Sequence, residues 1–137
     1  MSGPMTISLC SPDTAEAEIS AAEIILPGAG GVFTVQADHT PMLTTLIPGV
    51  LEISTEEGKK IFYAINGGFA EIKDNTVKVL AEMLEAGEEI KLSRAEEARN
   101  RAAKRLTKIT EDLDVKRAEF ALKRAIARID AHSRHGY

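Results

Sequence analysis

Arginines in the last third of the chain are the side chains best suited to chemistry, and that chemistry is anion binding. Arg94 and Arg101 are seven residues apart, so on a helix they share a face, with an alanine between them. Arg117, Arg124 and Arg128 repeat the pattern further on, again with alanine among them. Guanidinium groups beside small side chains leave room to hold a phosphate or carboxylate through paired hydrogen bonds.

Two other interpretations of these arginines stay open. The first is a solvated basic face with intrahelical ion pairs, for example Glu97 with Arg101, and spacing alone favours it. The second is nucleic-acid binding, which ranks below both because Phe120 and Tyr137 are the only aromatic residues in this part of the chain.

The remaining candidate residues do not form a catalytic or metal site in the sequence. His39, His132 and His135 have no companion cysteines or carboxylates at ligand spacing. The glycine cluster at 28–31 precedes a strand pattern rather than a helix, which indicates a turn and not a phosphate loop. Cys10 is a lone cysteine, typical of a reducing compartment, and fits a small apolar strand position. We expect no catalytic residue and no metal.

The elements that must position the arginines divide the chain in two. Residues 1–92 carry 5 Lys and Arg against 14 Asp and Glu, whereas residues 93–137 carry 12 against 7, so an acidic part precedes a basic one. Apart from Gly136, every glycine and proline lies between Gly3 and Gly87. Because glycine and proline favour turns between strands and are avoided inside helices, this distribution indicates a β domain at 1–87 and a helical domain at 88–137.

The first part predicts an antiparallel β-sandwich of about ten short strands, because short apolar runs recur between turn residues. Among them are a longer run at 17–26 and a strand at 42–47 that ends at Pro48-Gly49. Asn66-Gly67-Gly68 predicts a hairpin between strands at Lys60–Ile65 and Phe69–Ile72, since Asn and Gly tolerate positive φ. Asp74-Asn75 predicts a second tight turn.

The second part predicts an α-helical hairpin. Ser93 and Glu96 have the spacing of a capping box, and Asp112 or Asp114 can cap the second helix. The apolar stripes on both helices are rich in alanine and thin: Ala95, Ala98, Ala102, Leu106, Ile109 and Leu113 on the first, and Ala118, Leu122, Ala125 and Ile129 on the second. Such a hairpin is marginal alone and must dock on the sandwich, a partner or a ligand.

No apolar run has the roughly 20 residues that cross a bilayer, and the beginning of the chain lacks the pattern of a secretory signal. We therefore expect no direct membrane insertion and a cytosolic location.

Three ordered blocks of sequence resemble the ε subunit family of F-type ATP synthases, in its bacterial form. The first runs from Leu26 to Thr44 and continues to Gly49, the second from Asn66 to Glu82, and the third from Asp112 to Ala125. The resemblance spans about Thr6 to Ile129, nearly the whole chain.

The resemblance implies a non-catalytic central-stalk (rotor) subunit of a rotary, proton-transporting ATP synthase, peripheral to the cytoplasmic face of the inner membrane. The sandwich would couple the γ subunit to the c-ring, and the hairpin would extend towards the α and β subunits and inhibit ATP hydrolysis. By the same resemblance, the c-ring-facing residues are Gly30, Gly31 and Val32, and the γ-facing residues are His39, Thr40 and Met42. Ala37-Asp38 stands where relatives often have a proline.

Some relatives bind ATP between the sandwich and the folded hairpin, which makes an ATP-sensing module the alternative function. No cofactor is required, and ATP would be a regulatory ligand. The residues at matching positions are Glu85, Ile90, Arg94, Ala95, Arg101, Arg117, Arg124 and Arg128. Lys91 replaces the aspartate of the family motif, and we expect this change to weaken ATP binding by about 1–3 kcal/mol if that carboxylate makes a buried hydrogen bond.

Overall fold

The protein was analysed as a computed structural model that describes residues 4–108 and 114–135, apart from the side chains of Thr14 and Ala15. Eight strands precede two helices within these ranges. The strands are β1 (Met5–Ser11), β2 (Thr14–Ala21), β3 (Glu23–Gly28), β4 (Gly31–Gln36), β5 (Met42–Ser54), β6 (Lys60–Lys73), β7 (Thr76–Ala81) and β8 (Leu84–Ala86). A 3₁₀ turn, Gly87–Glu89, leads to α1 (Leu92–Thr107) and α2 (Val115–His135).

The strands form the predicted β-sandwich. Their order is β2-β1-β7-β6-β5-β3-β4, and β8 pairs with β6 beside β7. Pairing is antiparallel except between β1 and β7, which run parallel from Thr6 opposite Thr76 to Cys10 opposite Leu80. The core between the layers is aliphatic and fully enclosed, with Ile7, Leu9, Ile24, Leu26, Leu51, Ile53, Val77 and Val79 inaccessible to solvent.

The prediction of a hairpin at Asn66-Gly67-Gly68 is wrong. β6 passes through these residues without a break, and its partner β5 pairs with it on both sides, at Pro48 opposite Asn66 and Leu46 opposite Gly68. Gly67 and Gly68 have positive φ values of 81° and 147°, which turn the strand while it stays paired. A Cβ on Gly68 would overlap the carbonyl oxygen of Leu80, so the position needs glycine for close approach of β7.

Merged strands also explain why there are eight rather than about ten. β5 continues through Pro48-Gly49, where the sequence predicts an interruption. By contrast, the run 17–26, which the sequence predicts as one segment, is divided at Ala22 into β2 and β3. Turn residues therefore mark bends inside long strands as well as true connections.

The turn between β6 and β7 is confirmed. Asp74 and Asn75 have φ values of 50° and 57°, and Lys73 pairs with Thr76 across them. Asn75 also fixes a second turn, because its Oδ1 accepts a hydrogen bond of 2.6 Å from the backbone N–H of Asp38, whose own φ is 64°.

Helix α1 begins earlier than the capping box predicts, so that prediction is wrong. The N-cap is Lys91, which has extended backbone angles and no side-chain capping bond, and Ser93 lies inside the first turn. The cap of α2 is confirmed in one of its two forms, because Asp114 Oδ1 accepts a 3.0 Å hydrogen bond from the N–H of Arg117. Asp112, Ile109 and Leu113 lie outside the described residues.

The helical hairpin, α1 and α2, is folded back on the sandwich. A small cluster made by Phe62, Ala64, Ile90, Ala95 and Ala131 joins the two parts, with Val50 and Ile129 at its edge. The core of the sandwich forms a separate cluster that contains no residue of either helix. The alanine-rich stripes thus bury little apolar surface, as the sequence indicates. Neither described helix is long and apolar enough to cross a membrane.

Candidate functional site

A cavity of about 260 Å³ lies between the sandwich and the helical hairpin. β6, β8 and the segment that precedes β8 supply its floor, and the two helices supply its walls. Its lining combines small apolar residues with arginines: Ala64, Ile65, Asn66, Met83, Glu85, Ala98, Arg101, Ala102, Arg105, Ala121, Arg124, Ala125 and Arg128.

Alanines make the space that the arginines surround. Ala98 and Ala102 are four residues apart on α1, and Ala121 and Ala125 are four apart on α2, so each pair lies on one helical face. Short side chains on facing helices leave an opening that larger residues would fill. The sequence pattern of arginines beside alanines is the signal that leads to this site.

Two residues of the cavity lining form an ion pair. Arg128 Nε lies 2.9 Å from Glu85 Oε1, and Arg128 Nη2 donates a 3.3 Å hydrogen bond to Glu85 Oε2. The Nε–H is not aligned on its oxygen as a hydrogen bond, so the short distance is an electrostatic contact. Both side chains are about a quarter exposed, which makes the pair stronger than a fully solvated one and still exchangeable.

The other three arginines of the cavity carry uncompensated charge. Arg101, Arg105 and Arg124 form no ion pair with any residue in the described part of the chain. The pairing of Glu97 with Arg101 that the sequence allows is likewise absent there. Three guanidinium groups around one half-enclosed space repel each other and favour a bound anion.

The structure brings together four of the eight residues predicted to bind ATP: Glu85, Arg101, Arg124 and Arg128 line the cavity. Ile90 and Ala95 are buried in the cluster beneath the hairpin instead. Their assignment to a nucleotide stays a prediction.

Arg94 and Arg117 do not line the cavity. Each lies seven residues from an arginine that does, and seven residues advance a helix by about 10 Å. The spacing gives the correct face but not the level at which the helix crosses the sheet. Arg105 and Asn66 line the cavity and were not predicted; the four-residue spacing of Arg105 from Arg101 was the available signal.

Lys91 has a structural role that the sequence did not suggest. It is exposed, lies outside the cavity lining and occupies the N-cap of α1. An aspartate there would accept a hydrogen bond from the first turn and complement the helix dipole, whereas a lysine does neither. Lys91 therefore leaves the start of α1 without a side-chain cap, separately from any nucleotide contact.

Contacts at the far end of α2 hold the hairpin to the 3₁₀ turn. A Cβ built on Gly87 would lie 2.5 Å from the carbonyl oxygen of Ala131 and 3.1 Å from its carbonyl carbon. This close approach requires glycine. Arg134 forms one ion pair within α2, with Asp130 at 3.0 Å, and one with the sandwich, with Glu52 of β5 at 4.0 Å. Nearby, burial raises the pKa of Tyr63, and the charges of Glu89 and Glu88 add to the shift.

The residues predicted to face partners lie on the surface of the sandwich, at two separate places. Gly30 lies in the exposed connection from β3 to β4, Gly31 and Val32 begin β4, and the Val32 side chain is 74% exposed. His39 and Thr40 lie in the connection from β4 to β5, and Met42 begins β5. The ring Nδ1 of His39 lies 2.7 Å from the carbonyl oxygen of Thr40.

An apolar strip crosses the outside of the sheet. Phe69 of β6 pairs with Leu80 of β7, and Leu80 pairs with Cys10 of β1. Phe69 is 55% exposed, and Leu43 of β5 is exposed on the same side. Contiguous apolar surface of this kind is typical of a protein interface.

Within residues 4–108 and 114–135 no cluster of His, Cys, Asp or Glu could hold a metal ion.

Two family models together match almost the whole chain. The model described as "ATP synthase, Delta/Epsilon chain, beta-sandwich domain" matches residues 4–87. The model described as "ATP synthase, Delta/Epsilon chain, long alpha-helix domain" matches residues 88–133.

Curated relatives carry the same description. The ATP synthase epsilon chain of Desulfitobacterium hafniense strain Y51 is 41% identical over 131 residues, which are 96% of this chain and 98% of that one. The ATP synthase epsilon chain of Moorella thermoacetica is 37% identical over 127 residues, covering 93% and 95% of the two chains.

Solved structures agree with this assignment. A chain of the Euglena gracilis mitochondrial ATP synthase, in a structure of its OSCP, F1 and c-ring, matches with a TM-score of 0.80 and 25% identity over 98% of this chain and 82% of that one. A chain of the Tetrahymena thermophila mitochondrial ATP synthase central stalk and c-ring has the same fold, with a TM-score of 0.58 and 19% identity over 99% and 98%. The matched sandwich, the matched helices and the near-complete coverage of bacterial relatives show that the chain belongs to the family of ATP synthase ε chains.

Proposed function

We propose that this ε chain is a central-stalk subunit of the rotor whose sandwich couples γ to the c-ring and whose helical hairpin inhibits ATP hydrolysis. The observation that carries the proposal is the division of the apolar contacts into two clusters. The sandwich core is complete without the hairpin, while a few residues around Phe62 and Ala131 hold the hairpin down. A hairpin attached in this way can leave the sandwich without unfolding it.

The exposed apolar strip supports the coupling part of the proposal. Its residues extend across β1, β7, β6 and β5, and apolar surface this continuous is stabilised when a partner covers it. We assign γ to the side that includes His39, Thr40 and Met42. The exposed turn at Gly30, Gly31 and Val32 is assigned to the c-ring, which would hold the chain at the cytoplasmic face of the membrane.

The basic surface of the hairpin supports the inhibitory part. Arg94, Lys104 and Arg105 are exposed on α1, and Lys116 and Arg117 are exposed on α2. Once released, these residues would dock against acidic surface of the α and β subunits, where opposite charge steers association.

Truncation tests the inhibitory role. A chain that ends at Leu92 keeps the whole sandwich core and lacks both helices. In the assembled complex we expect it to raise the rate of ATP hydrolysis, with ATP synthesis still coupled. An unchanged rate of hydrolysis would mean that the hairpin is passive.

The cavity supports a second candidate function, ATP sensing. Arg101, Arg105 and Arg124 offer charge to a triphosphate, and the alanine-lined walls offer apolar contact to a base. A ligand held between the sandwich and the hairpin binds only the docked state, and would therefore stabilise it by mass action.

Titration calorimetry separates this candidate from the first. We expect weak ATP binding to the isolated chain and its loss in Arg124→Ala. Arg99→Ala is the matched control, because Arg99 is an exposed arginine of α1 outside the cavity lining. No heat at millimolar ATP for the wild-type chain would exclude ATP sensing and leave the inhibitory role untouched.

A further inference from the structure

Asn66 differs from the other asparagines of the chain in ways that bear on its chemical stability. The chain has three asparagines, at positions 66, 75 and 100. Asn75 is held through both side-chain atoms by Asp38, at 2.6 Å and 3.4 Å, and precedes the β-branched Thr76. Asn100 lies in the interior of α1, where the backbone N–H groups are engaged in helical hydrogen bonds.

The Asn66 side chain lacks the first restraint, and Gly67 is skipped in the register of β6 with β5, β7 and β8. The side-chain amide of Asn66 makes no hydrogen bond to another residue of the described chain, and Asn66 is half-buried in the lining of the cavity. The next residue, Gly67, has no Cβ to shield its backbone nitrogen, and its φ of 81° is one that glycine adopts readily. A free amide followed by glycine is the arrangement in which the backbone can attack the side chain.

The surroundings of Asn66 favour that attack. Arg101, Arg105 and Arg124 line the same cavity without carboxylate partners in the described chain. Fixed positive charge stabilises the oxyanion that forms at Cγ and facilitates loss of the proton from the attacking backbone nitrogen. The half-open cavity also admits the water that the second step needs.

We propose that Asn66 is a self-modification site, which deamidates in the folded protein and places a new carboxylate in the arginine cavity. The backbone nitrogen of Gly67 bonds to Cγ of Asn66, the bond from Cγ to Nδ2 breaks, and ammonia leaves with the proton from the Gly67 nitrogen. Water then opens the cyclic imide at one of its two carbonyls, giving aspartate or isoaspartate. No oxidant or reductant takes part, and water is the only co-reactant.

The modification would tighten the hairpin on the sandwich. A carboxylate at position 66 lies on β6, whereas the unpaired arginines lie on α1 and α2. Their charge-assisted hydrogen bonds would therefore join the sandwich to both helices, whereas the pair of Glu85 and Arg128 joins it to α2 alone. This inference does not rest on nucleotide binding, because it needs only that these arginines have no carboxylate partner in the described chain.

Peptide mass spectrometry of the full-length chain, incubated for days in mildly alkaline buffer, tests the reaction. We expect aspartate and isoaspartate at position 66, with Asn75 and Asn100 unchanged. In Arg124→Ala, or in Arg105→Ala should the first variant fold poorly, conversion should slow by about threefold to tenfold, and in Arg99→Ala it should not change. An amide intact at position 66, or conversion that is equally fast without the cavity arginines, would overturn the proposal.

A pair of substitutions tests the consequence. Asn66→Asp reproduces the normal product, and Asn66→Gln keeps an amide that cannot form the same five-membered ring. We expect amide hydrogen exchange in α2 to be about twofold to fivefold slower in the aspartate variant than in the glutamine variant. Equal exchange in the two variants would show that the new carboxylate does not join the helices to the sheet.

Discussion

At the scale of single residues, Lys91 sets the strength of the start of α1. It occupies the N-cap without a side-chain capping bond and adds a positive charge where the helix dipole is positive. We expect Lys91→Asp to raise the free energy of unfolding of the hairpin by about 1 kcal/mol. Hydrogen exchange of the first turn of α1 measures this locally.

Lys91→Ala is the control for that prediction, because it removes the charge without supplying a capping oxygen. Protection of the first turn of α1 against hydrogen exchange should increase in the order lysine, alanine, aspartate at position 91. Equal protection for alanine and aspartate would mean that charge alone, and not a capping hydrogen bond, governs the position.

Asp38 illustrates a second constraint at the residue scale. Its φ of 64° and its N–H bond to Asn75 both exclude proline, whose ring fixes φ near −65° and removes the donor. We expect Asp38→Pro to lower the free energy of unfolding by about 3 kcal/mol or more in urea titrations. Asp38→Gly keeps the φ and the N–H, so it should cost far less; similar losses for both variants would contradict this account of the turn.

At the scale of elements, the charges of the 3₁₀ turn act on the titration of Tyr63, which lies in β6. Burial raises the pKa of Tyr63 above its ordinary 10.0, and Glu89 and Glu88 add to the shift. The folded protein therefore holds this proton more tightly than the unfolded chain does, so the contribution of Tyr63 to stability should be constant below pH 10.0 and be lost as the pH rises through the raised pKa.

Urea titrations at a series of alkaline pH values measure that fall. Tyr63→Phe has no phenol to ionise, and the part of the decline that belongs to Tyr63 should disappear in this variant. A decline of the same size in both proteins would assign it to other groups.

The elements also show how far sequence patterns extend. Turn residues and helical periodicity predict a β-sandwich followed by a helical hairpin, the β6–β7 turn and the faces of both helices. They fail at Asn66-Gly67-Gly68, because local turn preference cannot register that β5 pairs with β6 on both sides of the glycines. Pairing between distant segments decides whether such residues end a strand or bend it.

The same limit applies to the candidate site. Spacing places Arg101, Arg124 and Arg128 on the correct helical faces, and all three line the cavity. Arg94 and Arg117 share those faces and lie outside the cavity, since the level at which the hairpin meets β6 and β8 is set by tertiary packing around Ala131 and Gly87. The pairing of Arg128 with Glu85 is likewise a product of the fold.

At the scale of the whole molecule, two bodies of unequal stability share one chain. The sandwich has an enclosed aliphatic core, whereas the hairpin rests on alanines, a few exchangeable ion pairs and one close backbone contact. Small changes at the contact between them should therefore shift the population of docked hairpin without affecting the fold of the sandwich.

Gly87→Ala is the most direct test of this arrangement. The added Cβ would meet the backbone of Ala131 at 2.5 Å, and overpacking of this kind costs about 1–3 kcal/mol. Because that cost falls on the docked state alone, the released hairpin should become about 5- to 150-fold more populated relative to the docked one. Truncation removes the inhibitor, while this substitution releases it, so the two changes should move ATP hydrolysis in opposite directions.

The deciding measurement is the ATP hydrolysis rate of assembled complexes that differ only at position 87. With the full-length chain, Gly87→Ala should lower hydrolysis below that of the wild type. In the chain that ends at Leu92, the same substitution should have no effect, since Ala131 is absent. A full-length Gly87→Ala complex that hydrolyses ATP as fast as the wild type, or faster, would contradict inhibition by the released hairpin.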